Sequence, residues 1–165
     1  MTAYDPSQWN DLFVAAAGAS AALAGLVFVA VSINIERILK YPGLPERALE
    51  TVVLLVGVLL ISLVGLIPGQ SHVALGLELL FVGGAIGIVV ARQPATSSDP
   101  ATVADRARVR TRWAVRIAGT LPLIVGGASV LAECGGGLYW VVAGIAFAIV
   151  GAVANAWVLL VEILR

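Results

Sequence analysis

The chain has 165 residues, 60% of them hydrophobic and 12% charged, and a mean hydropathy of +1.01. Soluble domains are about 45–50% apolar and about 25% charged, so a chain of this composition lacks the polar residues to cover a soluble fold. Ten Lys and Arg offset ten Asp and Glu, which leaves no electrostatic argument for a nucleic-acid partner. Cys134 is the only cysteine, which excludes a disulfide within one chain and a cysteine-based zinc site and reads as a small core residue.

In chain order, residues 1–10 have no basic stretch ahead of the first apolar run, so no cleaved signal peptide is expected. A first span covers residues 11–35, interrupted only by Asp11, Ser20, Ser32 and Asn34, and exceeds the roughly 20 residues that cross a bilayer. Tyr41-Pro42-Gly43-Leu44-Pro45 breaks it, because proline lacks a donor and disfavours helix in its predecessor. A second span, 48–67, is joined to a third, 72–91, by the turn Pro68-Gly69-Gln70-Ser71, short enough only for an antiparallel hairpin. Residues 92–112, rich in Pro, Ser, Thr and Arg, read as a cytoplasmic loop that turns helical near Ala104. A fourth span, 113–132, carries Pro122 as a kink that membrane helices tolerate, and Gly135-Gly136-Gly137 separates it from a fifth, 138–164. The alternative merges the last two into a re-entrant pair. The expected fold is therefore all-α, a polytopic transmembrane helix bundle of about five spans forming a single domain over residues 1–165.

Under this numbering every basic residue falls on one side of the bilayer: Arg37, Lys40 and Arg47 between the first two spans, Arg92, Arg106, Arg108, Arg110, Arg112 and Arg116 around the third and fourth, and Arg165 at the end. The positive-inside bias then places the N-terminus outside and the C-terminus in the cytoplasm of a bacterial inner membrane. Trp9, Tyr139 and Trp140 at outer ends, with Tyr41, Trp113 and Trp157 near inner ones, fit the aromatic belts of the two interfaces. Arg108, Arg112 and Arg116, spaced four apart, could contact anionic lipid headgroups, the plainer reading being charge that sets topology.

Inside the spans, glycines recur at seven residues: Gly18 and Gly25, Gly76 and Gly83, Gly119 and Gly126, Gly144 and Gly151, with Gly83 and Gly87 forming one GxxxG. Such stripes let helix backbones approach closely, within one chain or between subunits of a homo-oligomer. Asn155 continues the stripe of Gly144, Ala148 and Gly151 and should point into the bundle, as interhelical glue or as part of an ion site. Glu78 lies seven residues into the third span, where an ionised, unpaired carboxylate costs several kcal/mol; it is the first candidate for an ion or proton site, against a protonated structural acid. His72, the sole histidine, has no second ligand nearby and reads as an interface residue rather than a metal site. G-x-S-x-G, H-E-x-x-H and Walker-type motifs are absent, so neither enzyme activity nor a cofactor is expected.

The segment from Gly18 to Ile35 (GASAALAGLVFVAVSINI), followed by Leu44-Pro45-Glu46-Arg47-Ala48 and Leu66-Ile67-Pro68-Gly69-Gln70, resembles a family of small actinobacterial membrane proteins labelled "modulator of FtsH protease" or hypothetical. The resemblance covers about the first 70 residues and continues beyond them as hydropathy. It implies a regulatory partner of a membrane-bound AAA protease, on a chain unlike the seven-span Bax-inhibitor-like proteins in which that role is familiar. Abundant small-residue stripes beside an absent catalytic set point to a structural or regulatory membrane protein acting through helix–helix contacts, with itself or with a larger membrane complex. The rival readings are a homo-oligomeric ion channel or small-solute transporter and, more remotely, a lipid-acting membrane enzyme.

Overall fold

The computed structural model describes residues 2–41, 43–93 and 103–164, without the side chains of residues 2, 103–109, 111, 112, 115 and 162–164. Two 3-10 turns, Thr2–Tyr4 and Pro6–Trp9, lead into the first long helix, and Asp5 caps the second turn by accepting from the Ser7 amide. Helix α1 (Asn10–Ile33) is, from Leu12 onward, an unbroken run of small and apolar residues. It stops where Asn34, at φ −106° and ψ 14°, turns its Nδ2 back to donate to the Ala30 carbonyl at 2.9 Å. This local bond competes with the helical ladder, and the chain resumes as the short α2 (Ile35–Lys40).

Gly43, at φ 89°, supplies the left-handed step that starts α3 (Leu44–Gly65), with Pro45 in a first turn that needs no amide donors. Ser71 caps α4 (His72–Arg92) by accepting from the Ala74 amide. Helix α5 (Val103–Ala132) contains Pro122, and α6 (Leu138–Leu164) closes the bundle. Between them Gly135, Gly136 and Gly137 all take positive φ, a sequence of conformations that residues with a side chain rarely adopt.

The fold is an all-α bundle. Among the described residues four segments, Pro6–Ile33, Leu44–Gly65, His72–Arg92 and Leu138–Val161, are long and apolar enough to cross a bilayer, which makes this a multi-pass membrane protein. The expected fourth span lies within the longer α5, which includes the apolar stretch Arg116–Ala132. Helix α5 packs between α4 and α6, α3 packs on α1, α4 and α6, and α1 lies at the periphery against α3.

The N-terminal turns, the α3–α4 connection and the α5–α6 turn share one end: the Gly136 amide donates to the Tyr4 hydroxyl at 3.3 Å, and His72 meets Glu133 at 2.8 Å. Arg37, Lys40, Arg47, Arg92, Arg110 and Arg116 all lie toward the opposite end, hereafter the basic end. The main core runs from Phe13 and Leu54 through Leu75, Leu79 and Leu123 to Val141 and Ala148, and a smaller cluster of Ile38, Leu44, Ala48 and Leu159 seals the basic end.

The glycine expectations divide by helix. A Cβ on Gly76 would lie 3.0 Å from the Leu131 amide nitrogen, and one on Gly127 would lie 2.9 Å from that of Leu80, so α4 and α5 touch backbone to backbone. Gly83 sits against Leu123 and Ile124, whereas Gly87 only brushes Ile124 at 4.0 Å. Toward α6, Gly126 faces Val141, Gly144 faces Leu123, and Gly119 faces Ala148 and Leu54; Gly151 is buried. On α1 the within-chain alternative does not hold: nothing lies within 4 Å of a Cβ on Gly18 or Gly25, and both are exposed. The inward face of α1 is instead Phe13, Ala16 and Ser20, because the small residue at this crossing is on α3, where Gly65 leaves room for the Phe13 ring. Cys134, expected in the core, is exposed in the α5–α6 turn.

Candidate functional site

At the basic end three helices deliver polar groups to one buried point. Glu50 stands on the second turn of α3, four residues after Glu46 and hence on the same face. Arg116 stands on α5, one turn after Trp113, and Gln93 is the C-cap of α4. The guanidinium grips the carboxylate in a forked arrangement, Nε to Oε1 at 3.3 Å and Nη2 to Oε2 at 3.1 Å. Its Nη1 donates to the Gln93 carbonyl at 3.2 Å, one of the acceptors that a helix C-terminus leaves over. Both side chains of the pair are 4% exposed.

Two ions here would each be costly alone, and the forked geometry neutralises both while fixing their relative orientation. Trp113, one turn before Arg116, places its ring centroid 5.7 Å from the guanidinium carbon and adds a cation–π contact. Thr51 and Thr120 turn their hydroxyls back to the carbonyls of Arg47 and Arg116, at 2.8 and 2.7 Å, so neither presents a free polar group to the pair. Around it, Glu46 Oε2 and both amide atoms of Gln93 are buried without a hydrogen-bond partner. The arrangement clamps α3, α4 and α5 together where the chain leaves α4.

For Arg116 the sequence offers two readings, charge that sets topology and contact with a lipid headgroup. The lipid-contact reading is corrected: the side chain is withdrawn into the bundle because Glu50 supplies its counter-charge there. The side chains of Arg108 and Arg112 lie outside the described residues. Glu50 escaped sequence reading because its partner is 66 residues away. The available signal was that one acid and one base of opposite sign each sit a few residues inside an apolar run, where only mutual pairing makes them tolerable.

Glu78 is half-buried and receives the Gln70 side-chain amide from the α3–α4 connection, so its partner is the loop at the N-terminal end. It shares no site with Asn155, which lies on α6 toward the basic end with a buried Nδ2 that has no partner. His72 pairs with Glu133 when its imidazole is protonated, both side chains being about half exposed at 46% and 56%. Among the described residues no group of three or more His, Cys, Asp or Glu is placed to hold a metal ion. In comparisons with known proteins, no family model, curated protein or solved structure matches the chain.

Proposed function

We propose that this is a bacterial inner-membrane protein that works through helix–helix association, with α1 as the association helix and a second copy of the chain as its partner. The observation that supports this reading is the open space at Gly18 and Gly25. At 100° per residue, Gly18, Ala22, Gly25 and Val29 fall within about 60° of one another, opposite Phe13, Ala16 and Ser20, which face α3. All four are exposed, so α1 turns a smooth, small-residue face away from its own bundle. In lipid such a face gains by close backbone contact with another helix, and a two-fold axis lets the same stripe serve on both copies. The confinement of the described basic residues to one end supports an N-terminus outside, in which case a cysteine introduced at Gly69 labels from outside and one at Lys40 from the cytoplasm.

Cysteine crosslinking in native membranes tests the association. In a Cys134→Ser background, Ala22→Cys should give a disulfide-linked dimer, and Phe28→Cys, on a different exposed face of α1, should not. Gly18→Leu should abolish the Ala22→Cys dimer without unfolding the chain. Equal crosslinking at both positions, or only monomer at Ala22→Cys, overturns the proposal. A heavier mixed species would assign the face to a different membrane protein and overturn the choice of a second copy.

A further inference from the structure

Helices α1 and α6 run in the same direction, and toward the basic end a cleft of about 130 Å³ lies between them. Its walls are Val27, Ala30 and Val31 from α1 and Ala156, Leu159 and Leu160 from α6, with Ile38 at its base. The polar lining groups, Asn34 and Arg37, are gathered at one end of the α1 side. The span that includes α1 ends at Ile33, so the apolar walls lie at acyl-chain depth and Arg37 follows at headgroup depth. Lys40, one turn further along α2, adds a second cation on the same short helix, against the single acid Glu36.

We infer that this cleft binds one anionic phospholipid, with part of an acyl chain between α1 and α6 and the headgroup phosphate at Arg37. An apolar cleft is not held open by water, and in a bilayer the medium that can enter it is hydrocarbon. A cation at the mouth, at the level of the phosphates, then favours lipids carrying net negative charge. The cleft lies on the α6-facing side of α1, away from Gly18 and Gly25, so this site is independent of the proposed association face.

Native mass spectrometry of the full chain, titrated with phosphatidylglycerol or phosphatidylcholine of equal chain length, tests the assignment. One phosphatidylglycerol should be retained in preference to phosphatidylcholine. Arg37→Gln should lower phosphatidylglycerol affinity about fivefold, the effect of one interfacial cation, and leave phosphatidylcholine unchanged. Ala30→Phe, which fills the cleft, should lower the affinity for both lipids, while Arg92→Gln and Ala146→Phe, at exposed positions outside the cleft, should lower neither. Leu160→Trp fills the same cleft from α6 and replaces Ala30→Phe if that variant does not fold. Equal retention of the two lipids, an Arg92→Gln effect as large as that of Arg37→Gln, or unchanged binding in a folded cleft-filling variant overturns the inference.

Discussion

Glu50→Leu and Arg116→Met, made singly and together, test whether the buried pair clamps the bundle. Each single change leaves the opposite charge at 4% exposure with its principal counter-ion gone, a loss of about 3–5 kcal/mol. In the double variant both charges disappear and two apolar chains of similar reach meet. The remaining cost is the Gln93 carbonyl, which loses the donor it had at 3.2 Å, a change of about 1 kcal/mol. The double variant should therefore be more stable than either single one, with a coupling energy of at least about 3 kcal/mol. Reversible unfolding in mixed detergent micelles, followed by circular dichroism and tryptophan fluorescence, gives all four values of the cycle. Single variants that each cost under about 1 kcal/mol, as exposed ion pairs do, or strictly additive losses would refute the clamp.

Three further outcomes follow from the packing and capping. Gly127→Val puts a side chain against the Leu80 backbone and should destabilise the bundle by about 1–3 kcal/mol in the same unfolding assay, whereas Gly18→Ala, with nothing within 4 Å, should leave the monomer as stable or slightly more so. Glu78→Gln should be tolerated, and Glu78→Leu should cost about 1 kcal/mol by leaving the Nε2 of the half-buried Gln70 without its acceptor; equal stability of the two would place Glu78 outside any such contact. The Ser7 hydroxyl, at 2.7 Å, and then its amide, at 3.1 Å, hold the Asp5 carboxyl below its ordinary 3.8. The N-terminal turn therefore gains from the ionised carboxyl above that pH and loses the gain as pH falls through the lowered value; the Ser7 amide resonance should titrate with a midpoint below 3.8, and Asp5→Asn should remove the transition.

The helices were legible in the sequence because each is a long apolar run bounded by turn chemistry that acts locally: Asn34, Gly43, the Ser71 cap and the triple glycine are all within a few residues of the boundary they set. What a stripe packs against was not legible. Gly76 and Gly144 oppose partners on neighbouring helices, but the same spacing on α1 faces away, because the choice was made by the bulk of Phe13 and the absence of bulk at Gly65. The site followed the same division. Glu78 was visible as a carboxylate out of place, and its partner Gln70 was near in sequence. The pairing of Glu50 with Arg116 was not legible, the acid passing unremarked and the base reading as topology-setting charge or a lipid contact, because an apolar pattern in one dimension carries no information on which helix ends share a level.

The bond from Gly136 to Tyr4 joins residues 132 positions apart, and the edge-to-face contact of Trp9 with Tyr139, at 4.8 Å between centroids, lies beside it. During synthesis these contacts wait for the α5–α6 hairpin to emerge, so α1 is made well before it is fastened at this end. Until then the main packing of α1 is on α3. A chain truncated before the triple-glycine turn should therefore leave α1 unlatched at this end, an outcome that increased protease accessibility of the N-terminal segment would reveal.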